Sequence, residues 1–387
     1  MSHRHSIYCI LPPHMLKEIA QNGTPEQRDL ALRTIATSGQ MRAQRNIWQP
    51  SVMAASMAAV TVENKQREVY DAKNGSSLPG TLVRSENDAP SSDIAVNEAF
   101  DGAGATYDLY YAVYGRNSVD NHGLKLTSTV HYQKNYDNAF WNGEQMVYGD
   151  GDDGLPPAQR LFNRFTISVD VIGHELTHGV TQYEANLNYS DQSGALNESI
   201  SDVFGSLVKQ YKLQQTADQA DWLIGQGLLT SNVKGVALRS MKAPGAAYND
   251  PVLGKDPQPD SMSGYVNTTD DNGGVHINSG IPNRAFYETA VEIGGFAWQK
   301  AGTIWYKTLT DKLTITSNFQ DAANLTFQTA GEIYGVGSLE QNAVAKGWQT
   351  VGITVNTTGG GTPPPPPQPQ PGPGCLTAVL RILGLAR

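Results

Sequence analysis

At 387 residues the chain is too long for one small core, and roughly 100–200 residues per domain gives it two lobes with additions. Its 39% hydrophobic and 17% charged residues are those of an ordinary globular protein, and its 39 Gly and 17 Tyr exceed what a helical bundle needs. A net charge of -9 without a block of Lys or Arg excludes nucleic acid and anionic membranes as main partners.

Residues 1–55 read as a separate unit. The opening MSHRHSIYCILPPHMLKEIAQ is a poor Sec signal peptide, because Pro12 and Pro13 break its apolar run. Asn22-Gly23-Thr24 marks a turn, and Thr24-Pro25-Glu26 starts a helix that runs through Leu30, Leu32 and Ile35 to Ser38-Gly39. The small-residue stretch Ser51 to Val60 reads as a flexible junction, the kind of segment that processing proteases cut. From about 60 to 160, short apolar–polar alternations such as Thr129-Val130-His131-Tyr132 and Met146-Val147-Tyr148 alternate with turns at Lys73-Asn74-Gly75 and Asp101-Gly102, which predicts a β-rich lobe. Helical periodicity follows over 166–183, 195–213, 279–295, 297–310 and 318–332, with one more helix before about 355. Residues 357–374 are a Gly/Pro-rich linker, and 375–387 form a short apolar and basic tail. That tail reads either as an amphipathic helix for a membrane or partner, through Leu376, Val379, Leu380 and Leu383, or as a disordered extension. No run approaches the 18 or so apolar residues of a membrane span, so a soluble protein is expected. Cys9 and Cys375 are the two cysteines, one near each end, so no disulfide framework holds the body; Cys375 suits an intermolecular disulfide in an oxidising compartment.

The chemistry-bearing pattern is His174-Glu175-Leu176-Thr177-His178 within a periodic helix. Residues four apart share a helix face, so both imidazoles can converge on one metal, with Glu175 beside it as general base. Twenty residues on, Glu198 supplies a third ligand and leaves one position of a tetrahedral zinc open for water. Asp202, four residues further, can accept the second ring N–H of a ligand histidine. In the cluster Asp270-Asp271-Asn272-Gly273-Gly274-Val275-His276, Asp271 can orient His276, and His276 and Tyr189 can then stabilise an oxyanion.

At these motifs the chain resembles the thermolysin-like zinc metallopeptidases. The blocks Asn138-AFWNG-Glu144-QMVYGDG, Asp170-VIGHELTHGV-Thr181, Tyr189 through Asp202, Leu238-RSM and Gly273-GVHINSGI-Pro282 stand in family order over residues 60 to 355. The stretch His5-SIYCILPPHML-Lys17 is similar to the short propeptide of the protealysin-like branch, which tends to lack a conventional signal peptide. The resemblance implies an α+β fold, a β-rich lobe of about 56–183 ending in the HELTH helix and an α-helical lobe of 184–356, with the cleft between them. It also implies an endopeptidase made as a latent precursor, inhibited in cis by residues 1–55 and cutting protein and peptide substrates before Leu, Phe or Ile. It assigns His174, His178 and Glu198 as zinc ligands and Glu175 as base. Tyr189 and His276 become oxyanion stabilisers with Asp271 behind His276, and Asn197 and Asp202 partners of the ligand histidines. Arg239, Asn138 and Ala139 bind substrate backbone, and Phe162, Val171, Ile224 and Leu238 line an apolar pocket.

The chain departs from thermolysin at the double calcium site. Lys209, Leu223 and Gln226 stand at its positions, with only Asp170 and Asp221 kept, and Val236 replaces an Asp at another site. Calcium needs about six to eight oxygen ligands, so one zinc without thermolysin-like structural calcium is expected. Cys9 carries two readings, a thiolate closing the open metal position before activation or an ordinary small apolar side chain. A monomer, secreted by a non-Sec route after a cytoplasmic stage, completes the expectation. Two rivals remain: a silent relative that binds peptides without cutting them, and a chain whose HExxH pattern is only helix surface.

Overall fold

The computed structural model describes residues 8–45 and 65–356. The junction at 51–60, the linker and tail beyond 356, and Cys375 lie outside the described residues. A six-stranded sheet is built from β1 (Tyr8–Cys9), β2 (Arg67–Asp71), β3 (Thr81–Ser85), β4 (Leu126–Val130), β5 (Ala139–Trp141) and β6 (Met146–Tyr148), in the order β1-β5-β6-β4-β2-β3. β2, β4 and β6 run parallel to one another, while β3 pairs antiparallel with β2, β5 with β6, and β1 with β5. β5 would be an edge with unpaired backbone groups, and the N-terminal segment covers it.

The β-rich lobe also contains a 21-residue helix, α3 (Ile94–Tyr114), which the alternation reading missed. Asp101-Gly102, expected as a turn, lies inside it. Ala95, Ala99, Phe100, Ala103, Tyr107 and Tyr110 bury one broad face. Asp93 caps its start by accepting from Ala95 N, and Gly115 ends it at φ 68°. Tertiary packing therefore outweighs the two interior glycines.

At the N-terminus, α1 (Pro13–Asn22) and α2 (Pro25–Arg45) form a helical hairpin; the sequence reading found the second helix and not the first. The first lobe ends in α4 (Val169–Tyr183), and the helical lobe contains α5 (Asp191–Leu213), α6 (Asp271–Asn278), α7 (Gly280–Ile293), α8 (Lys300–Asp311), α9 (Phe319–Tyr334) and α10 (Leu339–Thr350). No described helix is long and apolar enough to cross a membrane.

α4 and α5 are buried along most of their lengths and form the floor of the site. They approach closely because both carry glycine at the crossing. A Cβ on Gly173 would lie 3.1 Å from Gly205 Cα, and one on Gly205 would lie 2.4 Å from Asp170 O. That contact lets side chains of α4 and α5 reach a common point. Gly205→Ala is expected to lower stability by about 1–3 kcal/mol by overpacking. Urea denaturation checks this, and an unchanged midpoint would mean that the helices slide apart without penalty.

Candidate metal centre

The α4–α5 crossing sets two rings of one helix against a carboxylate of the other. His174 Nε2 and His178 Nε2 lie 3.0 Å apart, with Glu198 Oε2 3.5 Å from the first and Oε1 3.4 Å from the second. All three side chains are buried, and their ligand atoms lie within 4.8 Å of one another.

The surrounding hydrogen bonds decide what this cluster wants. His174 Nδ1 lies 2.8 Å from Asp202 Oδ1, and His178 Nδ1 lies 2.8 Å from Asn197 Oδ1 and 2.9 Å from Ser201 Oγ. Asn197 Nδ2 donates to Leu187 O at 3.3 Å, which turns its Oδ1 toward the ring. Acceptors at both Nδ1 atoms draw the ring protons there, so both Nε2 lone pairs face each other and Glu198. Burial, and next the His174 ring, hold His178 well below its usual pKa and therefore neutral. Glu198 Oε2 is buried without a hydrogen-bond partner. Converging lone pairs beside a buried carboxylate repel unless a cation sits among them. Two imidazoles and one carboxylate are a donor set for zinc with one position open, so the residues fit the ion.

Asp202 ties this centre to a guanidinium. Its Oδ1 also accepts from Arg239 Nη2, and its Oδ2 accepts from Arg239 Nε and Asn283 Nδ2, each at 2.8 Å. With His174 these donors use about all four lone-pair directions of the carboxylate. Burial alone would raise its pKa, but Arg239 and His174 hold Asp202 well below the usual carboxylate range.

Across the cluster, His276 is aimed by a left-handed turn. Asp271, Asn272, Gly273 and Gly274 all have φ between 52° and 88°. A Cβ on Gly273 would meet Asp191 N at 2.9 Å, so glycine is required there. The turn lets Asp271 accept from His276 N at 2.9 Å and from the ring Nδ1 at 2.7 Å. Burial would lower the ring's pKa, but Asp271 and Glu198 outweigh it and raise His276 to about 9. Tyr189 donates to Glu198 Oε1 and lies 3.2 Å from His276 Nε2, and burial followed by Glu198 keeps its phenol protonated. Glu175 Oε2 accepts from Trp141 N at 3.0 Å, while its Oε1 is buried without a partner.

The N-terminal segment lies across all of this. Tyr8 pairs with Trp141 and Cys9 with Phe140 on β5. Cys9 O faces His276 Nε2 at 3.1 Å, Ile10 N donates to Ala139 O at 3.2 Å, Ile10 O accepts from Arg239 Nη1 at 3.1 Å, and Leu11 N donates to Asn138 Oδ1 at 3.0 Å.

The thermolysin metallopeptidase catalytic-domain family matches residues 40–182, and the thermolysin metallopeptidase alpha-helical domain matches 185–353. The chain belongs to the thermolysin family of metallopeptidases. It is 49% identical to an extracellular metalloprotease of Pectobacterium carotovorum subsp. carotovorum, over 90% of this chain and 97% of that one. It is 47% identical to protease PrtS of a Photorhabdus strain, over 89% and 92%. Among solved structures, the precursor of protealysin from Serratia proteamaculans superposes with TM-score 0.80 at 50% identity, covering 90% of this chain and all of that one. As a member of this family the chain is a zinc-dependent metalloendopeptidase with the two-lobed fold.

Within this thermolysin-family site, the structure brings together the three expected ligands, Glu175, Tyr189, Asp271, His276, Asn197, Asp202, Arg239, Asn138 and Ala139. Phe162, Val171, Ile224 and Leu238 are buried in the same apolar cluster as Ile10, and Ile224 pairs with Arg239 across a short ladder. The Cys9 thiol is not brought into the metal cluster. Its Sγ lies 3.9 Å from Ser38 Oγ and packs with Tyr132, Tyr136, Phe140 and Val147, so the backbone carbonyl is what Cys9 presents to His276. Ser201 and Asn283 were not read from the sequence. Ser201 shares the face of α5 with Asn197, a spacing that signals it, whereas Asn283 comes from α7 and carries no local signal.

Proposed function

We propose that this metalloendopeptidase is made latent and cuts internal peptide bonds on the amino side of bulky apolar residues, with Glu175 as general base. One observation carries the reading: residues 8–11 lie as an added strand on β5, and their backbone meets the groups expected to hold a substrate. Ile10, the residue after the carbonyl at His276, is fully buried, and its own carbonyl sits on Arg239, which adjoins Leu238 and pairs with Ile224, two of the positions expected to form the pocket.

His174, His178 and Glu198 would hold the zinc, which when bound would acidify a water and polarise the scissile carbonyl. Glu175 takes a proton from the attacking water and hands it to the leaving nitrogen. His276 and Tyr189 donate to the carbonyl oxygen as charge develops there, and Asp271 keeps the His276 ring aimed. Arg239, steadied by Asp202, holds the next carbonyl, while Asn138 and Ala139 fix the strand register.

Residues 1–55 act as the inhibitory segment in cis, removed after a cut near 50–58. Relatives named extracellular metalloproteases support secretion of this enzyme. The mature enzyme acts as a monomer. The decisive experiment measures zinc content with hydrolysis of casein and a Gly-Leu quenched peptide, before and after processing. One zinc per chain with chelator-sensitive activity only after processing supports the reading; zinc without activity in the processed enzyme favours the silent peptide binder.

We also assign zinc as the sole tightly held metal. Lys209 Nζ lies 2.7 Å from Asp221 Oδ2, 3.4 Å from Asp170 Oδ2 and 3.3 Å from Gln226 Oε1, so an ammonium stands among the carboxylates. Burial would lower its pKa, but Asp170 and Asp221 raise it and keep it charged. Lys209→Met is expected to lower stability by about 3 kcal/mol by leaving Asp170 buried and unpaired. Denaturation with and without calcium checks this, and rescue by calcium would show that the site still takes the ion.

A further inference from the structure

The peptide bond between Cys9 and Ile10 is gripped at both of its ends. Its carbonyl oxygen lies 3.1 Å from His276 Nε2. Its nitrogen donates to Ala139 O at 3.2 Å and also faces the Glu175 carboxylate. The following carbonyl is on Arg239 and the following N–H on Asn138, so the register is locked on the Ile10 side. A carbonyl beside an oxyanion donor, with its leaving nitrogen beside a general acid–base, is the arrangement of a bond poised to react.

We infer that the Cys9–Ile10 bond is itself a cleavage site, hydrolysed in cis by the active centre of the same chain. This rests on the proposed peptidase mechanism and names a bond of this chain as its substrate. The water oxygen bonds to the Cys9 carbonyl carbon, and the bond from that carbon to the Ile10 nitrogen breaks. One water proton ends on that nitrogen and the other is lost from the new acid to solvent or to the amine, leaving Cys9 with a carboxylate and Ile10 with a free amino group.

The two products are held unequally. Beyond Ile10, α1 and α2 stay packed through Leu11, Met15, Leu16, Ile19, Leu30 and Ala31, all buried. On the other side, β1 is two residues long; it pairs with β5, and the Cys9 side chain packs against Tyr132, Tyr136, Phe140 and Val147. The cut therefore separates β1 from α1 and α2, so that one strand of the inhibitory contact can leave while the two helices stay packed. It is an activation step separate from cleavage near 50–58.

The test follows the purified full-length chain by intact-mass and N-terminal analysis over time, at several protein concentrations. A fragment beginning at Ile10 is expected, with a first-order rate unchanged on dilution, lost in Glu175→Gln and in Ile10→Asp. In parallel, the mature enzyme is given the free peptide spanning residues 5–13. If it cuts that peptide between Cys and Ile while the docked bond stays intact, the inference falls and the proposed function stands. If mature enzyme cuts neither this peptide nor casein, the proposed function falls with it. A rate that rises with concentration, or a fragment that persists in Glu175→Gln, overturns cleavage in cis.

Discussion

Replacing Glu175 by Gln is expected to lower kcat by about 10³–10⁴-fold while zinc stays at one per chain. Glu175 lies on the ligand helix but outside the His174, His178 and Glu198 triad, so metal retention does not depend on it. Gln keeps the shape and an oxygen able to accept from Trp141 N, so β5 and the cleft floor stay in place. What disappears is the exchangeable carboxyl proton, worth about 4–5 kcal/mol of barrier at that fold-change. Burial, with Glu198 next, pushes the Glu175 carboxyl well above the usual carboxylate range, and a dication at the triad opposes that push. The balance suits a group that must both take and return a proton near neutral pH. Casein and peptide hydrolysis with parallel zinc analysis reads the outcome. Activity within tenfold of wild type, with zinc bound, would remove Glu175 from the mechanism.

Much of the helical lobe was legible because its physics is local. A buried helix repeats apolar positions every three or four residues, and the expected helices over 166–183, 195–213, 279–295, 297–310 and 318–332 appear as α4, α5, α7, α8 and α9 with ends shifted by a few residues. The ligand set was legible for the same reason, since helix geometry turns a spacing of four into a shared face. Gly173 and Gly205 were not readable as a helix crossing, because that contact joins positions 32 residues apart through the fold. α3 was lost to its own glycines and to Asp101-Gly102, which mimic a turn until packing against α4 and the sheet decides otherwise.

The N-terminal segment shows the boundary most clearly. Its second helix announced itself with Thr24-Pro25-Glu26, but α1 begins at Pro13 behind a second proline, which masks its start. The thiol of Cys9 drew attention as a soft ligand, yet strand pairing with β5 turns the side chain toward Tyr132 and Phe140 and leaves the carbonyl at His276. A two-residue strand carries no periodicity, and its partner lies about 130 residues away, so neither its register nor its face was encoded locally.

Acidifying the latent chain from about pH 6.5 to about pH 4 is expected to weaken the hold of α1 and α2 on the cleft by about 10²–10³-fold. His14 is the cause. Its Nε2 meets Tyr248 Oη at 3.1 Å, and its Nδ1 is buried without a partner. Burial lowers its pKa most; Asp271 opposes this, while His276, Arg239 and Lys17 lower it further, to about 4. Once released, the imidazole returns to its ordinary value near 6.5. Above that pH both forms are neutral and docking is unaffected. Below it the released form takes a proton that the docked form refuses, at about 1.4 kcal/mol per pH unit, until the docked ring also titrates near 4. Lys17 pairs with Asp270 at 3.0 Å, but both side chains are largely exposed and add little to this balance. Activity also depends on the state of the metal centre, so it is the wrong readout. Amide exchange over residues 13–38 in the Glu175→Gln chain reads release without self-cleavage. Exchange there should rise as pH falls through this window, after correction for intrinsic rates, and His14→Gln should flatten the response. An equal response in both chains would place the acid-sensitive group elsewhere.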